Sequence, residues 1–153
     1  MYRGPFLLIL CVICMFTLTS CSKISAIDSK NTNIKYVDIY VVVKEAFLTD
    51  KEYNKHFSKH ITKNVFNHIT IYKAYPVNNP EYKKPFKVDF DLKEVSQAKD
   101  NDANDLIYVD MIYSVLITDA NGKTVGGAQS KPIQFTINTT ENEWYIIDKH
   151  EAP

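Results

Sequence analysis

Apolar and polar residues alternate most strictly between positions 86 and 118. Phe86, Val88, Phe90 and Leu92 interleave with Lys87, Asp89, Asp91 and Lys93, which is the period of a half-buried strand. Ala98–Asp105 is a polar stretch that predicts a hairpin loop. Leu106–Thr118 is the longest alternating run: Ile107, Val109, Met111, Tyr113, Val115 and Ile117 form one unbroken apolar face, and the even positions between them are mixed. Asn121-Gly122, within Asp119–Lys123, is a strong turn signal. Thr124–Asn138 then reads as a strand interrupted by Gly126-Gly127 and Pro132, residues that suit a bulge, a bend or an edge. Thr139–Asn142 turns again, and Glu143–His150 closes the series with Trp144, Tyr145, Ile146 and Ile147.

The period is helical earlier in the chain. Tyr36, Tyr40, Val43 and Phe47 form one stripe within residues 34–48. The run Tyr40–Val43 is β-branched and equally suits a strand, but Lys44–Leu48 continues the stripe in good helix formers and favours helix. Thr49-Asp50-Lys51-Glu52 has the spacing of a capping box, and Tyr53, Phe57 and Ile61 follow at i, i+4, i+8, predicting a second helix over residues 50–61. Residues 63–69 add a short third turn or helix, and the prolines and asparagines of residues 74–85 mark a loop. Helices followed by strands predict an α+β fold, with two to three N-terminal helices packed on a curved four-stranded antiparallel sheet.

The first twenty residues obey neither period. Arg3 and the terminal amine precede an apolar run from Phe6 to Leu18, the layout of a secretory signal. That run is 13 residues, whereas a permanent span needs about 20. It ends in Leu18-Thr19-Ser20-Cys21, which resembles a bacterial lipobox. The resemblance implies that Cys21 receives a diacylglyceryl group through its sulfur and that cleavage falls between Ser20 and Cys21. Two acyl chains supply about 20 kcal/mol of membrane anchoring, where one chain binds only marginally. The expected organisation is a signal peptide (1–20), a lipidated Cys with a flexible tether (21–33), and one α+β domain (34–153). The expected location is the outer face of a bacterial cytoplasmic membrane. The Ser-, Lys- and Asn-rich tether has a reach of about 20 Å as a coil.

Composition narrows the function. Lys and Arg number 18 and Asp and Glu number 18, with a pI near 6.9, so no basic field exists to neutralise phosphates and no nucleic-acid partner is expected. Cys11 and Cys14 fall in the segment to be removed and Cys21 is the acylation site, which leaves no thiol for catalysis or a zinc site. Arg3 is the only arginine; the remaining 17 basic residues are lysines, a bias that fits an AT-rich firmicute genome.

No Gly-rich phosphate loop, nucleophile elbow or paired-carboxylate motif is present, so no cofactor and no catalytic residue is expected. His56 and His60 have a four-residue spacing, but Phe57-Ser58-Lys59 between them lacks a base and Lys59 repels a cation; two solvated surface histidines are the simpler reading. Asp100, Asp102 and Asn104 fall at positions 1, 3 and 5 of a calcium-loop pattern, but Asp105 and Met111 replace the required Gly and Glu, so a solvated hairpin is expected there. Tyr108, Asp110 and Ser114 share one face of the long strand, either as solvent face or as pocket lining.

The helical pair, the long strand with its Asp119–Lys123 turn, and the ending Glu143–Asp148 resemble the nuclear-transport-factor-two-like (cystatin-like) superfamily over residues 34–150. That resemblance implies a cone-shaped cavity over the sheet, which in this superfamily hosts ligands or active sites. The resulting expectation is a non-enzymatic binding or accessory lipoprotein of the cell envelope, of immunity or exclusion type in its sharper form, with a protein or peptide partner. The alternative is a small-ligand-binding or enzymatic domain that uses the cavity.

Overall fold

The computed structural model describes residues 36–103, 105–140 and 143–152. The signal-like segment, Ser20, Cys21 and the tether lie outside the described residues. Three helices, α1 (Tyr40–Leu48), α2 (Lys63–Ile69) and α3 (Ile71–Ala74), precede four strands, β1 (Lys87–Lys99), β2 (Leu106–Thr118), β3 (Thr124–Thr139) and β4 (Trp144–Glu151). The strands form one antiparallel sheet in the order β1-β2-β3-β4, so the architecture is α+β.

The alternation of β2 sorts the molecule into two sides. All six odd-numbered residues from Ile107 to Ile117 are buried, and on the same face β1 contributes Leu92 and the half-buried Val88 and Phe90. The helices supply Val43, Phe47, Val65, Phe66, Ile69 and Ile71 to this one core. The Phe47 ring lies 4.9 Å from Tyr113 and 5.1 Å from Phe90, joining α1 directly to the sheet. The opposite face carries the even-numbered residues, among them Ile112 and Leu116, which are 37% and 44% exposed.

The stripe predicted from residue 34 becomes helix only at Tyr40. Asp38 accepts a hydrogen bond from the Tyr40 amide at 3.1 Å, and the Gln97 side chain bonds both backbone groups of Val37. These side chains give the backbone partners other than a helical turn, and Tyr36 stays outside the helix and 66% exposed.

The helix expected over residues 50–61 does not form. Thr49 instead ends α1 in an extended conformation, and its Oγ1 accepts from the Lys51 amide rather than from Glu52. Glu52 pairs with Lys73 at 3.2 Å, and Asn54 Oδ1 accepts from the His56 amide in a second local turn. Only Phe57–Lys59 closes a short 3-10 turn. The apolar residues of the stripe still reach the core, with Phe57 5% exposed and Ile61 fully buried. Thr62 supplies the cap that Thr49 does not: its Oγ1 accepts from the Val65 amide at 3.3 Å and starts α2.

This irregular stretch is fastened along the outer edge of β4. The Thr62 amide donates to Ile146 O at 3.0 Å and the Ile146 amide donates to His60 O at 2.8 Å, a parallel bridge centred on Ile61 and Ile146. The Tyr53 and Tyr145 hydroxyls both donate to Ile61 O, at 2.8 and 3.0 Å. Burial, followed by the neighbouring Tyr145 hydroxyl, pushes the Tyr53 phenol up to about 12.

β1 is longer than its alternation suggests. It continues to Lys99 after a bulge between Glu94 and Ser96, so the hairpin loop begins at Asp100, not Ala98. At the next turn Gly122 takes φ +79°, and the buried Asp119 carboxylate accepts from the amides of Lys83, Asn121 and Lys123. Those donors, the Lys83 amide first, hold Asp119 below the usual carboxylate range. In β3 the residues Gln129 and Ser130 together oppose Ser114, a bulge in which Ser130 takes φ +50°. Pro132 lies one residue before β4 pairing begins at Ile133, where β3 has no neighbour on that side to miss its amide hydrogen.

Candidate functional site

Tyr108, Asp110 and Ser114 project from one face of β2, the face turned away from the helices, but they do not converge on one site. The Tyr108 hydroxyl donates to Asp100 at 2.6 Å, which lowers the Asp100 carboxyl and raises the Tyr108 phenol from their ordinary values. Asp110 accepts from Ser96 and from Gln134, both at 2.8 Å, and so ties β1, β2 and β3 together. Ser114 Oγ accepts from the Ser130 amide at 3.0 Å and holds the β3 bulge. Each polar atom in this trio serves the sheet itself.

Of the three, Ser114 also lines a broad groove of about 860 Å³ on the same face. Asp89 and Asp91 of β1, Leu116 of β2 and Gln129 of β3 line the groove with it. Its floor depends on Gly127. A Cβ there would lie 2.6 Å from the Val115 carbonyl oxygen, so no larger residue fits without moving backbone. A second, smaller recess of about 360 Å³ joins Asp110 with Val95, Ile112, Pro132 and His150. The result is an open sheet face on which exposed aliphatic side chains alternate with carboxylates. Among the described residues no element covers it.

The helix-facing side holds a different arrangement, one not singled out from the sequence. A cleft of about 300 Å³ lies where α1, α2 and α3 meet the sheet, with Phe47, Ile69, Ala74 and Ala128 as apolar lining and Tyr75, Tyr113, Lys131, Lys149 and Glu151 as polar groups. Register places these polar groups together: Lys131 pairs with Tyr113, Lys149 with Phe135, and Glu151 with Ile133. Lys149 and Glu151 form an ion pair at 2.9 Å that is mostly shielded from water. The Tyr75 ring rests on Gly126, where a Cβ would meet it at 2.5 Å. Burial, then the Glu151 carboxylate and Tyr75, push the Tyr113 phenol up to about 12, and burial followed by Glu151 raises Tyr75 as well. At the rim, His68 Nδ1 donates to Asn64 O at 2.7 Å.

The two histidines considered as metal ligands are separated by their environments. His56 is exposed and bonds Glu45 at 2.9 Å, whereas His60 stacks on Trp144 with ring centroids 4.5 Å apart. His60 is therefore half-buried, not the solvated surface residue expected of it, because the 50–61 helix that set that expectation is absent. Among the described residues no three His, Cys, Asp or Glu side chains converge as a metal site. In the 100–105 loop, Asp100 Oδ1 accepts from the Asp102 and Ala103 amides, so that carboxylate shapes the turn; Asn104 lies outside the described residues. No helix among the described residues is long and apolar enough to cross a membrane. No protein-family model, curated protein or solved structure matches the chain.

Proposed function

We propose that this chain is a membrane-anchored extracytoplasmic lipoprotein of a bacterial envelope, acting as a non-enzymatic module that binds a protein or peptide partner through the open face of its sheet. The observation that carries the reading is the uncovered outer face: Ile112 and Leu116 stand exposed beside a groove lined by Asp89, Asp91 and Ser114. The Leu18–Cys21 motif supports the tether, and a tether of a dozen residues keeps such a face near the membrane surface. Helices ahead of a four-stranded meander are in keeping with the resemblance to the nuclear-transport-factor-two-like superfamily.

The test has two parts. Intact mass of the native protein is expected to show a chain beginning at a diacylglyceryl-modified Cys21; an unmodified N-terminus, or retention of residues 1–20, overturns the anchor. Crosslinking in intact cells is expected to capture one specific envelope partner, lost in the Leu116→Lys variant while the fold persists. Capture that Leu116→Lys leaves unchanged overturns the outer face as the docking surface. In the immunity or exclusion form of the reading, deletion raises sensitivity to a peptide bacteriocin or the rate of conjugative entry.

A second reading, small-ligand binding, is favoured by one observation. Tyr113 is only 7% exposed, and its hydroxyl has no hydrogen-bond partner among the described residues although it lines the helix-side cleft.

A further inference from the structure

The chemistry of the helix-side cleft specifies what kind of molecule it would take. Tyr113 is 7% exposed, and its hydroxyl lines the cleft with no hydrogen-bond partner among the described residues, which leaves it free to meet a solute there. Directly across the strand pair from Tyr113 is Lys131, half-buried, with no ion pair among the described residues. The other two charges cancel, since Lys149 and Glu151 bind each other at 2.9 Å. The lining thus carries one uncompensated positive charge and two phenol hydroxyls, over an apolar surface of Phe47, Ile69 and Ala128. Its only carboxylate, Glu151, gives one oxygen to Lys149, which leaves Lys131 as the cation of the lining without a carboxylate partner among the described residues. A volume of about 300 Å³ lies at the small end of ligand sites and so suits a small solute.

We propose that this cleft binds a small organic monoanion, a carboxylate on a short apolar body, between the Lys131 ammonium and the hydroxyls of Tyr113 and Tyr75. The carboxylate meets the uncompensated lysine and the unpaired phenol together, and the body covers the apolar lining. A dianion is disfavoured by Glu151. The inference rests on the small-ligand reading and is independent of the tether and of the outer face. The same carboxylate chemistry occurs in a free small acid and at the C-terminus of a peptide.

The test uses the full chain in neutral detergent micelles, with benzoate and its uncharged isostere benzamide as probes in ligand-observed NMR titrations. Benzoate is expected to saturate with a Kd of about 1 mM or tighter, and benzamide to bind at least about tenfold more weakly. Lys131→Gln is expected to reduce benzoate to the benzamide level. Tyr113→Phe is expected to weaken benzoate about threefold or more without lowering the urea midpoint of the domain. Two short peptides of one sequence, with free and amidated C-termini, separate the sources: selective binding of the free-acid peptide assigns a chain end, and binding of benzoate alone assigns a free acid. Equal binding of benzoate and benzamide, unchanged by Lys131→Gln, overturns the anion inference and leaves the small-ligand reading standing. Absence of saturable binding by any probe overturns both.

Discussion

Ile117 and Leu116 are neighbours on β2 and point to opposite sides of the sheet, so truncating each to alanine tests whether the helices cover only one face. Ile117 is fully buried in the shared core, and Ile→Ala at such a position costs about 2–5 kcal/mol in lost transfer energy and residual cavity. Leu116 is 44% exposed, so roughly half of the 1.5–3 kcal/mol for complete burial is at stake, about 1 kcal/mol. The assay is equilibrium urea unfolding of the full chain in micelles. Trp144 is the only tryptophan, and it packs against His60, so its emission reports the docking of residues 53–62 onto β4. With an m value of about 1.5 kcal/mol per M, a loss of about 3 kcal/mol lowers the midpoint by about 2 M for Ile117→Ala, against about 0.7 M for Leu116→Ala. If Leu116→Ala costs as much as Ile117→Ala or more, the outer face is packed against something, and the groove is not open for a partner.

Three further outcomes follow from the same geometry. Thr62→Ala removes the acceptor for the Val65 amide at the start of α2 and is expected to cost about 0.5–2 kcal/mol in urea unfolding; Thr49→Ala, at the capping box that is not used as one, is expected to cost less. Gly127→Ala sets a Cβ against the Val115 carbonyl and is expected to cost about 1–3 kcal/mol and to narrow the outer groove; a neutral result would mean that β3 shifts freely there. Tyr53 and Tyr113, each held near 12 in the folded protein, are expected to ionise above the ordinary phenol range when absorbance is followed to high pH. Because both folded values lie above the unfolded phenol value of about 10, their contribution to stability is complete below pH 10 and is lost as pH rises towards 12. Unchanged urea midpoints across that window would refute the burial of these two rings.

The strands were more legible than the helices, for physical reasons that individual residues make plain. The observed limits of β2, Leu106–Thr118, are those of its alternating pattern, because a period of two is a local property and polar turns flank both ends. The capping-box pattern at Thr49 misled because the same hydroxyl can serve a tight turn, and here it bonds Lys51. On the outer face, the trio of Tyr108, Asp110 and Ser114 could be grouped from one strand's parity, but not their separate cross-strand bonds.

The helix-side cleft was hidden by bulges. Along β4, simple alternation from the buried Ile146 would put Asp148 and His150 on the inner face; the irregularity at Ile147 reverses that phase and brings Lys149 and Glu151 inward. The extra residue at Gln129–Ser130 likewise leaves both Ala128 and Lys131 facing the helices. Lys131 keeps step with Ile133, Phe135 and Ile137, and that was the one signal in the sequence that a cation faced the core.

The bridge between Ile61 and Ile146 also determines how copies of this chain could associate. Strand addition at β4 is blocked at Ile146, whereas no backbone hydrogen bond reaches the far side of β1 among the described residues. A sheet with one usable margin can join a second copy into a closed pair, but cannot seed an endless ribbon, since that requires a margin on each side. Crowded copies of the chain are thereby protected from fibril growth by a two-bond clasp.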